Sequence, residues 1–338
     1  MKRWFALPLL FAALPAWSAP RASVSLDGEW QVRIDPADET AAGQHPREAK
    51  WFRAQVPGSV QQDLIAAKRV PDPFQGLNEA KIQWAGLTNW QFRRTIDVTA
   101  EMLQRDHLDL VFDGLDTFAT VSVNGQQLLA TANAHRQWRV DAKPALKVGR
   151  NELLVSIASP VRTLQPMVLK EANPLPGEYD SAFGDEPKGK QTSPYIRKPK
   201  YHYSWDWGPR IINIGVWRPV RLEAWDDVRI ETLQVDQEAI NDAEAQLTAR
   251  YTLVADTAGS VALRTNVVGP NGQTQGVERT VQVAAGENRI TVPLTIANPQ
   301  RWQPVGYGAQ PLYRVQAALV EAGAETDRTE RRIGLRTV

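Results

Sequence analysis

The residues best suited to chemistry lie in one short stretch, 195–209, which reads YIRKPKYHYSWDWGP. It combines several aromatic rings with a histidine, His202, and a carboxylate, Asp206. Indole faces stack on the apolar C–H face of a pyranose ring, and an ionised carboxylate accepts hydrogen bonds from hydroxyl groups. Because Asp206 lies between Trp205 and Trp207, this stretch is a candidate sugar site.

The spacing of these residues predicts an extended strand over 201–207, with aromatic rings on one side and polar groups on the other. The aromatic side has Tyr201, Tyr203, Trp205 and Trp207, and the polar side has His202, Ser204 and Asp206. Gly208 and Pro209 then end the strand, because proline lacks a backbone donor. On spacing alone a simpler interpretation stays open, in which an aromatic core strand uses Asp206 to cap a turn.

Composition limits the possible classes of protein. The chain has 338 residues, enough for roughly two domains, and 43% of them are hydrophobic. The net charge is +1, from 39 basic and 38 acidic residues, so nothing indicates a nucleic acid or an anionic membrane as a partner. Twelve tryptophans are many for this length, and the absence of cysteine excludes disulfides and zinc–thiolate sites.

The N-terminus has the pattern of a targeting segment. Lys2 and Arg3 form a basic start, residues 4–13 form a short apolar core, and Ala16 and Ser18 are small residues at the positions that a signal peptidase reads. We therefore predict a Sec-type signal peptide over 1–19, cleaved after Ser18 or Ala19, and a periplasmic or secreted bacterial protein. No later stretch is apolar enough to span a membrane.

Several common catalytic motifs are absent from the sequence. It has no glycine-rich phosphate loop, no histidine pair at metal-binding spacing and no Gly-x-Ser-x-Gly. The four histidines are far apart in sequence: His45, His107, His135 and His202. We therefore expect no cofactor and no metal.

Residues 20–226 are predicted to form the first domain, which is rich in strands. Alternating segments include 90–98 and 151–158, and Asn124-Gly125 indicates a hairpin. One short helix is predicted after Ser59, which together with Gln62 forms a capping box. Residues 160–194 are rich in proline and glycine and are predicted to be a long loop, of the kind that is functional or partly disordered.

Residues 227–338 are predicted to form a second domain of a different character. From Val228 onward, short alternating strands are separated by turn residues about every ten positions, which is the spacing of a sandwich. We predict an immunoglobulin-like sandwich of roughly seven strands, with the last two over 312–320 and 331–338. The sequence stops at LRTV without a turn or polar tail, which we interpret as a cut into a longer polypeptide.

The segments YHYSWDWGP at 201–209 and GVWRPV at 215–220 resemble the signature of β-mannosidases in the glycoside hydrolase 2 group. Other segments agree with that group in the same order. They are LDGEW at 26–30, VPGSV at 56–60, WQFRR at 90–94, FDGLDTFA at 112–119, VSVNG at 121–125, GRNEL at 149–153, RWQPVGYG at 301–308 and RIGLRT at 332–337. The resemblance extends over everything after the predicted signal peptide.

The resemblance implies an order of domains: a jelly-roll, galactose-binding-like sandwich, an immunoglobulin-like sandwich, and then a (β/α)8 barrel. In the family, the barrel carries a nucleophile and a general acid/base, both glutamates, in a retaining mechanism. A barrel of ~250 residues has no room here, so the family's catalytic pair maps to no residue of this sequence.

The resemblance also implies roles for individual residues. Trp205 corresponds to a wall of the subsite for terminal mannose, and Asp206 to an acceptor for its hydroxyls, with Tyr203, His202 and Trp207 as possible neighbours. If Trp205 and Asp206 both touch one sugar, a turn or bulge is needed between them.

We therefore expect the N-terminal, accessory region of an exo-β-mannosidase, with a β-mannoside or manno-oligosaccharide as substrate and the missing barrel as partner. Two alternatives stay open: a stand-alone carbohydrate-binding module without hydrolase activity, and a purely structural pair of sandwiches.

Overall fold

The computed structural model describes residues 20–177, 183, 185–205 and 208–337. The chain divides into two compact units, residues 22–224 and residues 225–337 with Pro20 and Arg21. Both units are β-sandwiches, as predicted. The predicted signal peptide, residues 1–19, lies outside the described residues, so its cleavage stays a prediction.

The first unit has two antiparallel sheets. One sheet has four strands in the order β1-β10-β5-β8, and the other has six in the order β3-β2-β4-β9-β6-β7. The strands are β1 Ala22–Ser25, β2 Gly28–Ile34, β3 Phe52–Val56, β4 Trp90–Val98, β5 His107–Phe112, β6 Phe118–Val123, β7 Gln126–Ala130, β8 Trp138–Asp141, β9 Gly149–Ala158 and β10 Val220–Trp225.

The core of this unit lies between the two sheets and follows from the alternation of the strands. On β4, Trp90 and Phe92 point inward and are fully buried, and they pair with Ile157 and Val155 of β9. The four-stranded sheet contributes side chains such as the buried Phe112 to the same core. Burying a large apolar side chain contributes roughly 1.5–3 kcal/mol, so this layer is the main stabilising element of the unit.

Short helices connect the strands of the first unit. They are α1 Glu39–Gln44, α2 Val60–Ala66, α3 Gln83–Gly86, α4 Ala100–Gln104 and α5 Pro160–Lys170, with 3-10 turns at Asn78–Lys81, Lys143–Ala145, Ser193–Tyr195 and Lys200–Tyr203. The predicted capping box of α2 is confirmed: the Ser59 N–H donates to Gln62 Oε1 at 3.1 Å, and the Gln62 N–H to Ser59 Oγ at 3.4 Å.

The prediction of a continuous loop over 160–194 is wrong at its start, where α5 lies. Ser159 caps this helix, and Pro160 occupies its first turn, where proline is tolerated because no backbone donor is required there. Pro166, inside the helix, weakens the sequence pattern that would otherwise have predicted it.

The second unit is the predicted immunoglobulin-like sandwich of seven strands. They are β11 Val228–Ile240, β12 Glu244–Ala255, β13 Gly259–Val268, β14 Thr274–Val283, β15 Gly286–Ala297, β16 Tyr313–Glu321 and β17 Ala324–Ile333. The sheets have the orders β11-β12-β15 and β14-β13-β16-β17. The last strand lies earlier than predicted, because the turn at Gly323 (φ +83°) pairs it back on β16.

Candidate functional site

A cleft of about 760 Å³ opens on the first unit. Its walls are mostly apolar, and a few polar groups converge on it. The larger apolar side chains are those of Ile65, Phe74, Ile82, Trp205 and Trp217, and the polar ones include Gln61, Asp116, His202 and Asn213. A concave, largely apolar surface with a small number of placed polar groups is typical of a site for a small ligand.

One wall of the cleft is built by the start of α2. The Val60 N–H donates to the Ile214 carbonyl at 2.8 Å, and the Gln61 side chain donates to the Ile212 carbonyl at 2.7 Å. Gly215 allows this close approach, because a Cβ there would lie 2.4 Å from the Gly58 carbonyl oxygen. The helix predicted from its capping box thus holds the backbone of residues 212–216.

A second part of the lining comes from residues 198–205 and 208–213, which together with the two residues between them we call the aromatic loop. The predicted strand over 201–207 is wrong, since Lys200–Tyr203 forms a 3-10 helix. Pro199 starts this turn, and the His202 N–H donates to its carbonyl at 3.3 Å. Ser204 then has φ +87°, a left-handed conformation that ends the helix and is incompatible with a strand.

The aromatic rings of the loop do not share one face as the alternation predicted. Tyr203 is 3% exposed and packs with Val161, Ile196 and Ile212 in a small second core. Tyr201 and Trp205, by contrast, are 64% and 54% exposed and line the cleft. His202, predicted on the opposite side, is half-buried and also lines the cleft.

Two of the predicted site residues, Asp206 and Trp207, lie outside the described residues, so their roles stay predictions. On either side of them, Trp205 and Gly208 form an antiparallel bridge, and the Gly208 N–H donates to the Trp205 carbonyl at 2.6 Å. Trp205 and Gly208 therefore lie beside each other at the edge of the cleft.

A buried charged cluster lies beneath the aromatic loop. The Lys198 side chain is completely buried and forms an ion pair with Asp116, whose carboxylate is 4% exposed. The Lys198 ammonium also donates to the Asn213 carbonyl at 2.6 Å, and the Thr117 hydroxyl donates to the other oxygen of Asp116. Burial lowers the pKa of Lys198, and the Asp116 carboxylate opposes that shift.

His202 lies over this cluster in its neutral form. Burial, together with the nearby Lys198 charge, lowers the pKa of His202 to about 4, although Asp116 acts in the opposite direction. Its Nδ1 is 3.7 Å from Asp116 Oδ2, too far for a hydrogen bond, and its Nε2 is 3.3 Å from the Asn213 amide nitrogen. If the Asn213 amide donates here, Nε2 is the acceptor and Nδ1 carries the ring proton.

A second buried cation, Arg210, lies near the C-terminal end of the aromatic loop and holds it in place. Its guanidinium donates to Asp185 at 2.7 Å, to Glu186 at 3.1 Å and to the Gln83 side chain at 2.8 Å. The Glu186 carboxylate also accepts from the Thr192 N–H at 2.7 Å. Asp185 and Glu186 are therefore engaged in holding the loop.

Sequence reasoning missed Lys198, Asp116, Asn213 and Arg210. Asp116 and Thr117 lie within FDGLDTFA and Lys198 within the aromatic stretch, but their pairing joins positions 82 apart. Composition and local spacing contain no information about such a contact. Only the structure shows that Lys198 is buried, and a partner is then expected because lysine is rarely buried without one.

Among the described ranges, no group of three or more His, Asp or Glu side chains is arranged to hold a metal ion. A search of the same ranges finds no helix long and apolar enough to cross a membrane.

Comparison with known proteins identifies the family. Residues 30–218 match the glycosyl hydrolase 2 galactose-binding domain-like family, and residues 228–336 match glycosyl hydrolases family 2. The chain therefore belongs to glycosyl hydrolase family 2, and it contains two of the β-domains of that family. The family resemblance inferred from the sequence motifs is confirmed.

Among curated proteins, the chain is similar to Beta-mannosidase B of Thermothelomyces thermophilus, at 34% identity over 94% of this chain and 35% of that protein. It is 31% identical to Beta-mannosidase B of Aspergillus terreus, over 84% of this chain and 32% of that protein. The chain thus spans about a third of the length of the curated relatives it matches.

Among solved structures, the chain resembles the β-D-mannosidase of Dictyoglomus thermophilum, with a TM-score of 0.81 and 29% identity. The match covers 93% of this chain and 36% of that one. The exo-chitosanase of Amycolatopsis orientalis has a TM-score of 0.67 at 18% identity, over 93% of this chain and 34% of that one, and it shares the fold.

Proposed function

We propose that this chain is the N-terminal accessory region of a retaining exo-β-mannosidase, which removes terminal β-D-mannose from mannosides and manno-oligosaccharides. The observation on which the proposal rests is the Trp205 side chain, 54% exposed at the edge of a mostly apolar cleft, on a loop held by buried ion pairs. A tryptophan is costly to expose, so a large exposed ring over a cleft favours a ligand-binding role. The relatives named as β-mannosidases support mannose as the sugar.

In this proposal Trp205 and Asp206 form part of the terminal-sugar subsite. The indole of Trp205 stacks on the apolar face of the mannose ring, and Asp206 accepts hydrogen bonds from its hydroxyls. His202 is the polar neighbour within the cleft. Tyr203, buried below the loop, supports the segment from its core side.

The catalytic carboxylates are assigned to a barrel outside these 338 residues. Retaining hydrolysis requires two carboxyl groups about 5–5.5 Å apart across the scissile bond. The described carboxylates around the aromatic loop are engaged elsewhere, Asp116 with Lys198, and Asp185 and Glu186 with Arg210. We therefore expect the chain alone to be inactive toward a chromogenic β-mannoside. Turnover by the purified chain that disappears in Asp206→Ala would contradict this assignment.

The sugar site itself is tested by binding of β-1,4-mannobiose to the chain, measured by NMR titration. Trp205→Ala should abolish the chemical-shift changes that the sugar produces. Trp51→Ala is the matched control, because Trp51 is also a half-exposed tryptophan of the first unit but lies outside the cleft, between the guanidinium groups of Arg33 and Arg93. Equal loss of binding in both variants would remove the role given to Trp205.

A second candidate function is a stand-alone carbohydrate-binding module. The observation that favours it is that every residue lining the cleft belongs to the first unit, so the cleft does not depend on the second. If the isolated chain binds mannobiose and longer manno-oligosaccharides as tightly as a longer protein containing a family barrel does, the module is the better assignment. A large gain in affinity on adding the barrel favours the accessory region.

We also propose that the protein is exported. The basic start, apolar core and small residues of positions 1–19 support a signal peptide. Intact-mass analysis of periplasmic protein should show loss of the residues up to Ser18 or Ala19, whereas full-length protein found only in the cytoplasm would contradict export.

A further inference from the structure

The buried ammonium group of Lys198 links the two ends of the aromatic loop. Lys198 is the first residue of the loop and Asn213 is the last. The Lys198 ammonium donates to the Asn213 backbone carbonyl at 2.6 Å and pairs with the Asp116 carboxylate, which belongs to a distant segment. A single buried group thus joins both ends of the loop to a third part of the chain.

Asp116 is also held in place by contacts that do not involve Lys198. Its backbone forms a bridge with Gly215, in which the Asp116 N–H donates to the Gly215 carbonyl at 3.0 Å. The Thr117 hydroxyl donates to one carboxylate oxygen, and Lys198 occupies the other. Asp116 is therefore a rigid anchor, and the lysine is the group that attaches the loop to it.

A charge at this place is unusual for stability alone. Burying an ion pair costs solvation free energy, and apolar side chains of similar volume are often as stable. An ion pair is directional, however, and therefore favours one geometry of the groups that it joins. Apolar contacts are less directional and select a geometry less well. The aromatic loop contains a backbone conformation that has to be held in place. Ser204, directly before Trp205, has the left-handed φ of +87°, which a non-glycine residue adopts only when its surroundings hold it.

We propose that Lys198 and Asp116 are positioning residues for the sugar site, which fix the Trp205 indole at the edge of the cleft through the ion pair that they form. The inference rests on the proposed function for its purpose, because a fixed indole matters only if a ligand stacks on it. The geometric statement, that the ion pair sets the place of Trp205, is tested independently of any sugar.

The test is the indole N–H spectrum of the 15N-labelled chain, in which each tryptophan gives one signal. The Trp205 signal is identified by its loss in Trp205→Phe. In Lys198→Met, which keeps the length of the side chain but removes the ammonium, this signal should shift or broaden. The signals of Trp30 and Trp90, both buried in the main core, should stay in place.

The control is Arg139→Met, which removes another buried cation of the first unit. Arg139 pairs with Asp109 at 2.7 Å and with Glu223 at 2.6 Å, and it is not among the residues that line the cleft. This variant should lower the melting temperature without moving the Trp205 signal. An unchanged Trp205 signal in Lys198→Met, or an equal change in Arg139→Met, would overturn the proposal.

The double variant Lys198→Met with Asp116→Asn separates stability from position. It leaves no unpaired buried charge, so its melting temperature should recover relative to Lys198→Met alone. The Trp205 signal should nevertheless stay displaced, because the link to Asn213 is still absent. Recovery of both properties together would make the pair purely structural. If Lys198→Met does not fold, Asp116→Asn alone provides the comparison of signals.

Titration with β-1,4-mannobiose then distinguishes the two proposals. If both hold, Lys198→Met weakens binding at least tenfold, and Arg139→Met changes it less than twofold. If the wild-type chain binds no sugar although the Trp205 signal moves in Lys198→Met, the proposed sugar site fails and the positioning role stands. If the chain binds sugar equally in both variants and the signal does not move, the positioning role fails alone.

Discussion

The two units are both sandwiches with apolar cores, but they place their charged groups differently. In the first unit, ion pairs such as Lys198–Asp116 and Arg210–Glu186 are almost completely buried. In the second, pairs such as Arg264–Glu278 join side chains that are 42% and 49% exposed. The Lys198 and Arg210 pairs hold a long irregular loop beside a cleft, and the Arg264–Glu278 pair lies across the neighbouring strands β13 and β14.

The reason for this difference is the length of the connections. Most strands of the second unit follow one another through short turns, apart from residues 298–312 between β15 and β16, so backbone pairing places most of its residues. In the first unit, the chain between α5 and β10 contains only short 3-10 turns and isolated bridges among its described residues. Directional side-chain contacts take the place of the backbone hydrogen bonds of a sheet in this segment. The candidate site lies on the segment that these contacts hold.

The largest expected effect is the loss of a buried cation in the first unit. Arg210→Met leaves Asp185 and Glu186 buried without their partner, and removing one member of a buried pair costs roughly 3–5 kcal/mol. Arg264→Met, the control in the second unit, breaks an exposed pair and should cost at most about 1 kcal/mol. Urea unfolding of both variants measures the two losses, and equal losses would remove the contrast between the units.

The next effect concerns Asp63, a buried acid of α2. Its Oδ1 accepts from the Gln55 N–H at 2.9 Å, its Oδ2 has no partner among the described residues, and burial raises its pKa to about 7. Since the unfolded chain releases this proton near the ordinary value of 3.8, stability is lost as pH rises from about 4 to 7 and is constant above that range. Asp63→Asn should therefore gain stability relative to wild type over the same range, by at most about 4 kcal/mol.

Thermal unfolding at pH 4, 5.5, 7 and 8 measures this difference between variant and wild type. The comparison of the two proteins at each pH cancels the titration of the remaining carboxylates. Asp97→Asn, on the exposed face of β4, is the control and should show no such trend. A stability difference for Asp63→Asn that is the same at pH 4 and pH 8 would show that the buried acid does not titrate as expected.

The features of the fold that were predicted from the sequence are those that depend on local interactions. The capping box at Ser59 and the seven strands of the second unit follow from spacing over a few residues, and both are confirmed. The aromatic stretch was misassigned, because alternation over so few residues does not require a strand, and Lys200–Tyr203 forms a 3-10 turn instead. Only the tertiary contacts of Tyr203 with Val161 and Ile212, which are far apart in sequence, decide between the two.

The sequence indicated some of the residues that line the cleft but not the residues that hold them in place. Trp205 and His202 were selected from residue type, and both line the cleft. The group that attaches their loop, Lys198, pairs with a residue 82 positions away, and a long-range contact of this kind leaves no local pattern. Sequence reasoning therefore finds the residues that have chemical character and misses those that hold them in place.

A third prediction concerns Asp206, the proposed acceptor for the sugar hydroxyls. In a longer protein that includes a family barrel, Asp206→Asn should lower kcat/KM about ten- to a hundredfold, because a hydrogen bond to a charged acceptor is worth roughly 1.5–3 kcal/mol. Its melting temperature should stay near that of wild type. Steady-state kinetics and thermal unfolding of this one variant measure both quantities. A lowered melting temperature with normal kinetics would reduce Asp206 to a turn cap.

The smallest expected effect is at the cap of α2, the helix whose start holds the backbone of residues 212–216 beside the cleft. Ser59→Ala removes the hydroxyl that accepts from the Gln62 N–H, and loss of an N-cap costs typically about 1 kcal/mol. The backbone contact from Val60 to the Ile214 carbonyl stays, so the wall itself should keep its place. We therefore expect a melting temperature lower by a few degrees and unchanged mannobiose binding, measured by thermal unfolding and NMR titration. A loss of binding larger than the loss of stability would show that the helix start contributes to the site directly, through the Ser59 hydroxyl or the neighbouring Gln61, both of which line the cleft.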